Sequence, residues 1–201
     1  MRTNLPGDGD AGARAGRSSQ CRAVLKLHTI EMADPIDLAG FRRAVRHLLA
    51  ERIPPEAVIW TIAHAEGADL FAQGAAQSIA TDSPPPKVPA FLLPLCQRAI
   101  LHRDPGRFAL MYRLLWRLQL QPDLRHDTLD EDRSQLEGLA RVVRRDMHKM
   151  TAFVRFRTVP NAHGAAPLHI AWFEPDHHIV EATAPFFQRR FANMRWAILT
   201  P

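Results

Sequence analysis

The stretch DEDRSQLEGLARVVRRDMHKMTAFVRFRTV, Asp130–Val159, decides the fold class, because its apolar spacing changes from helical to alternating partway along. Leu136, Leu139, Ala140, Val143, Met147 and Met150 fill one side of a helix running from about Asp130 to Thr151. Acidic residues stand at its start and basic residues toward its end, as the helix dipole favours. Phe153–Val159 then reads as a strand, and Leu168–Phe173 as a second one across the loop Pro160–Pro167. Helices and strands alternate irregularly, without repeats or a glycine-rich phosphate loop. That predicts an α+β fold: a small, mainly antiparallel sheet covered by about five helices.

Upstream, the block VPAFLLPLCQRAILHRDPGRFALMYRLLWRL (Val88–Leu118) divides into two helices at Asp104-Pro105. Asp104 is the expected N-cap and Pro105 the first helical residue. Phe108, Met111, Leu115 and Leu118 make the buried stripe of the second helix. Before the block, Val24–Met32 reads as a strand and Asp34-Pro35 as a turn. A helix follows with Phe41, Val45, Leu48 and Leu49 inside and Arg42, Arg43 and Arg46 outside. Ala57–Ile62 is a second strand, and Ala63–Lys87 reads as a surface loop. Near the C-terminus, Ala184–Met194 is expected as a helix with Pro185 in its first turn and Phe187, Phe191 and Met194 facing the core. Trp196–Leu199 is a final strand.

Residues 1–23 are rich in Gly, Ala, Arg and Ser and carry no apolar period, so a disordered basic tail is expected, followed by one α+β domain over residues 24–201. A length of 201 residues with 46% hydrophobic content suits one ordinary core. No apolar run approaches the roughly 20 residues of a membrane span, and no secretory signal precedes the domain. The only cysteines, Cys21 and Cys96, build neither a disulfide framework nor a cysteine metal site, which fits a cytoplasmic protein. The formal charge of +5 points to a polyanionic partner only where the basic residues gather on one face.

Three long strings carry a resemblance: Val88–Leu118, RDMHKMTAFVRFR (Arg145–Arg157) and AWFEPDHHIVEATAPFFQRRFANMRWAILTP (Ala171–Pro201), together with ADPIDLAGFRRAVRHLLAERIPPEAVIW before them. They resemble the bacterial domain of unknown function 4130, whose members are described as probable DNA metabolism proteins. Such domains stand beside a radical-SAM DNA repair protein or are fused in front of a family-4-like uracil-DNA glycosylase. The resemblance therefore implies DNA as a partner and one of those two enzymes as the other. The family pattern continues somewhat past Ile198–Pro201, so a truncated C-terminus is expected. The fused glycosylase needs an iron–sulfur cluster and motifs that two separated cysteines and these 201 residues do not supply. The chain by itself is expected not to excise uracil.

The leading candidate site is a stripe on the long helix. Arg141, Arg144, Arg145 and His148 stand at i, i+3, i+4 and i+7 and so share a face. Lys149 flanks them, and Arg155 and Arg157 alternate along the next strand. Clustered guanidiniums neutralise phosphates and donate paired hydrogen bonds. The competing reading is an ordinary solvated helix face. A second group, Glu174, Asp176, His177 and His178, lies downstream of His169 on the same strand. With His148 it would give an acid–base set for an enzyme acting on a nucleic-acid or nucleotide substrate. The alternative there is a polar turn before a helix. Adjacent histidines point apart in extended chain, so no metal site and no cofactor is expected. His102-Arg103-Asp104 matches the triplet of kinase catalytic loops without any companion motif, and capping explains it. Most of Trp116, Trp172, Trp196, Phe153, Phe186 and Phe187 are expected in the core rather than as a base-stacking platform.

Three functions follow: an accessory DNA-binding domain that positions a partner repair enzyme, the enzyme just described, or an adaptor for the radical-SAM protein. Convergence of His148 with Glu174 and His178 would favour the enzyme, and an open basic face the DNA-binding module.

Overall fold

The computed structural model describes residues 26–63, 86–160 and 166–201. The chain opens on a parallel pair. β1 (His28–Met32) lies beside β2 (Val58–Ile62) with His28 opposite Val58 and Met32 opposite Ile62, and α1 (Leu38–Ala50) makes the crossover. The side chain of Asp37 caps α1 by accepting the Gly40 N–H at 2.7 Å. A Cβ on residue 40 would sit 2.1 Å from the same carboxylate, so any other residue there would make the Asp37 side chain shift. Phe41, Ala44, Val45 and Leu48 are buried while Arg42 and Arg43 face out, as the helical spacing predicts.

Three helices form the body: α2 (Leu92–Ala99), α3 (Arg107–Leu120) and α4 (Glu131–Phe153). α3 is buried around most of its girth, through Phe108, Leu110, Met111, Tyr112, Leu114, Leu115 and Leu118. Trp60 of β2 ties the opening unit to it, with ring centroids 5.2 Å from Phe41, 5.9 Å from Phe108 and 6.0 Å from Tyr112. Asp130 caps α4 by accepting the Arg133 N–H at 3.0 Å. Beyond α4, β3 (Arg157–Val159) pairs antiparallel with β4 (Leu168–Trp172), and β5 (Arg195–Leu199) pairs parallel with β4. α5 (Val180–Arg190) is the crossover from β4 to β5. Phe156, Phe187, Phe191 and Trp196 pack together between this sheet and α5.

The α+β class and the five helices stand as the sequence predicts. The single, mainly antiparallel sheet does not. The strands form two separate sheets, and of the three pairings only β3–β4 is antiparallel. The reason is connection length, because α1 and α5 occupy the links where a hairpin would need a short turn.

Local boundaries move as well. α4 runs on to Phe153, and Arg155 donates from Nη1 to the carbonyls of Ala152 at 2.7 Å and Val154 at 3.0 Å, which closes the helix end. The strand expected from Phe153 therefore starts only at Arg157. α5 begins at Val180 and ends at Arg190, so Pro185 lies inside it rather than in its first turn. α3 begins at Arg107, and Asp104 instead accepts the Gly106 N–H at 2.8 Å in the turn before it. The expected tail, Val24 and Leu25 of the first strand, and most of the two long loops lie outside the described residues. Among the described residues, no helix is long and apolar enough to cross a membrane.

Candidate anion-binding surface and histidine cluster

The α4 stripe is built by periodicity. Buried Leu136, Ala140, Val143 and Met150 hold one side against the body, which leaves Arg141, Arg144, Arg145 and His148 exposed on the other. No carboxylate pairs with any of these four among the described residues. Arg98 of α2 joins Arg141 and Arg144 at the rim of a groove of about 240 Å³ that Leu95, Glu137 and Ala140 complete. Lys149 turns from the stripe to Asp176, with Nζ 3.1 Å from the carboxylate. The lysine holds the Asp176 carboxyl below its usual range. Arg155 precedes the strand and Arg157 opens it, so the two do not share a strand face.

A second polar group gathers on the far side of α4. Three connections meet there: the β1–α1 turn, the α2–α3 link and the β4–α5 link. The His178 N–H donates to the Leu101 carbonyl at 2.9 Å, and Arg103 Nη2 donates to the Pro175 carbonyl at 3.2 Å. The His177 N–H donates to Asp146 Oδ2 at 3.0 Å, so the one acid within the basic run is a buried anchor for the histidine loop. His102 and His177 stack with ring centroids 4.3 Å apart and planes 31° apart. The Asp104 N–H donates to His102 Nδ1 at 3.0 Å, and the Arg103 N–H to His177 Nδ1 at 3.4 Å.

Arg107 opens α3 at the end of the same α2–α3 link and has none of its surface exposed. Its guanidinium donates to three backbone carbonyls: Ile100 at 2.8 Å, Asp104 at 2.7 Å and Pro35 at 2.5 Å. No carboxylate neutralises it among the described residues. Burial pushes its pKa down to about 10, against a smaller opposing pull from Asp104. His178 is held below the usual imidazole range by burial, then by the charges of Arg107 and Arg103. His102 is lowered by burial and by His177.

The residues of the expected acid–base set are only partly together. Residues 146 and 148 stand about 200° apart around a helix, so His148 faces away from the loop that Asp146 holds. Glu174 accepts the Trp172 indole N–H at 2.8 Å. His169 meets Thr158 across the β3–β4 pair at 3.2 Å. Among the described residues no group of three His, Cys, Asp or Glu side chains has the geometry to hold a metal ion. Trp172, Phe153 and Phe186 are 56%, 69% and 39% exposed, so half of the six aromatics expected mostly in the core lie at the surface. Cys96 is buried, and burial pushes its thiol up to about 12.

Sequence reasoning passed over Arg98 and Arg107, and set His102 and Arg103 aside as part of a capping triplet. A signal existed for Arg107: it stands at i−4, i−7 and i−11 from Met111, Leu114 and Leu118, a charge on an apolar stripe. Such a charge needs buried acceptors.

Residues 105–201 match the family model of a domain of unknown function, DUF4130. Neither the curated proteins nor the solved structures contain a match to the chain.

Proposed function

We propose, from the premise that over residues 105–201 this chain belongs to the DUF4130 family, that it is an accessory DNA-binding domain of DNA repair or metabolism. It positions a partner enzyme on DNA, either the radical-SAM repair protein or a fused uracil-DNA glycosylase, and it works in the cytoplasm. The observation that carries the reading is the set of exposed, unpaired cations on α4, extended across the groove by Arg98. Contacts from such groups go to phosphates, so they supply affinity and orientation without base specificity. Arg141, Arg144 and Arg145 lead, with His148 on the same helix face and Arg157 at the start of β3, while Lys149 and Arg155 already hold protein acceptors.

The test is duplex and single-strand binding measured against salt concentration for the wild type and for Arg144→Ala with Arg145→Ala. Each lost phosphate contact should make the duplex salt slope shallower by about 0.9. Unchanged affinity with an unchanged slope removes the stripe from the reading.

A second reading, an enzyme acting on a nucleic-acid or nucleotide substrate, draws its support from the meeting of His102 with His177 and His178. His148 and Glu174 have no part in that meeting.

A further inference from the structure

We propose that His102, His177 and Arg103 form a second anion site, separate from the α4 stripe, that takes one phosphate group carried by a nucleotide or a nucleic-acid strand. The inference does not depend on the DNA reading of the stripe.

The tautomers come first. Each ring accepts a backbone N–H at Nδ1, from Asp104 in one case and Arg103 in the other. A nitrogen that accepts carries no proton, so in the neutral ring the proton is on Nε2. Nε2 is then neither a base nor a metal ligand, and a hydrogen-bond donor is what remains. Neither Nε2–H has an acceptor among the described residues, and the rings lie 4.3 Å apart. In the proposed site these two donors serve two oxygens of one tetrahedral anion. Neutral imidazoles that donate to developing or resident negative charge are an established use of histidine.

Arg103 favours an anion rather than a neutral acceptor, because its guanidinium meets no carboxylate among the described residues. Arg103 is exposed and spends one N–H on Pro175, which leaves the rest of its guanidinium for a ligand. Arg107 carries a buried charge held by three carbonyls, with a smaller pull from Asp104 and no carboxylate in contact. Of the four nearby acids only Asp176 is paired with a cation, Lys149. Asp34, Asp104 and Asp146 accept the N–H groups of Ile36, Gly106 and His177, so the imidazole donors and Arg103, not net charge, would hold the anion. α3 and α5 both start beside the cluster, and neither has a side-chain cap, so the positive ends of two dipoles add to the field.

The experiment uses the full chain with its imidazoles labelled with nitrogen-15, followed by magnetic resonance. The rings of His102 and His177 should read as Nε2-protonated before any addition. Inorganic phosphate and a nucleoside 5′-monophosphate are then titrated, followed by one oligonucleotide with and without a 5′-phosphate. Saturable shifts of both ring signals are expected, weakened at least tenfold by Arg103→Gln, a change at an exposed residue. The tighter of the phosphate carriers identifies the natural source. Rings protonated at Nδ1, absence of ring shifts with every carrier, shifts confined to α4, or an undiminished response in Arg103→Gln would each overturn the site.

Discussion

α3 and the second half of α4 use the same residue in opposite ways. On α3, each arginine is matched. Arg113 reaches Asp132 at 2.6 Å, Arg117 bridges Asp130 at 2.6 Å and Asp132 at 2.7 Å, and Arg107 is wrapped in carbonyls. Those contacts bind the start of α4 to α3 and the β1–α1 turn to the α2–α3 link. On the second half of α4, Arg141, Arg144 and Arg145 meet no carboxylate among the described residues. A net charge of +5 therefore says little until each cation is asked what it already holds. Matched arginines stabilise the fold, and unmatched ones shape the potential that a partner meets.

Arg107→Leu tests the matched side most severely. It leaves the Ile100 and Pro35 carbonyls without their donors in the interior, at a cost on the order of 3–5 kcal/mol in urea unfolding. A loss under about 1 kcal/mol would show that water replaces the guanidinium and that the match is dispensable.

Asp132→Asn should cost less, about 2 kcal/mol at neutral pH. Burial alone would raise the Asp132 pKa, but the hydrogen bonds and charges of Arg113 and Arg117 outweigh it and hold the carboxyl below its usual range. A depressed acid stabilises the fold above its unfolded pKa of about 4 and loses that contribution as pH falls through the folded value. The wild type should lose stability there, and the asparagine variant should show a flatter decline.

The histidine cluster sharpens the contrast, because a protonated ring would add one more cation beside an arginine that has no counter-ion. His102 and His178 are depressed bases, neutral in the fold, while the unfolded chain takes up protons below about 6.5. Their contribution is full above that pH and declines as pH falls toward the folded values. His178→Gln should flatten the melting-temperature profile between about pH 7 and 5. A variant profile parallel to the wild type would remove this histidine from the linkage.

The smallest effect belongs to the unmatched side. Arg144→Ala with Arg145→Ala should change unfolding free energy by no more than about 0.5 kcal/mol, since neither side chain holds a protein partner. A larger loss would place these arginines with those of α3.

Periodicity made the helices legible, because a buried stripe repeats within a few residues of itself. Phe41, Val45 and Leu48, or Leu136, Ala140, Val143 and Met150, needed no knowledge of what they pack on. Strand direction was not legible in that way. Whether β5 runs along β4 or against it depends on α5 acting as a crossover, and that is a property of the chain path. The α4 stripe was readable for the same reason as the core stripe opposite it. The His102–His177 contact joins residues far apart in sequence through backbone donors, and a backbone donor leaves no mark in a side-chain pattern. Asp104 was read as a cap and does engage a nearby N–H, yet the residues beside it carry the more consequential contacts.

Arg107 has a further consequence for how this protein can be divided or inherited. It lies inside the segment 105–201 that carries the family match, while Pro35, Ile100 and Asp104, its three acceptors, all precede that segment. The matched half is therefore not a portable module. Moved alone into another protein, it would bring a guanidinium made for an interior and leave behind every carbonyl that makes the interior habitable. Any exchange of this half between proteins must bring a replacement for those carbonyls from its new host, or lose the arginine.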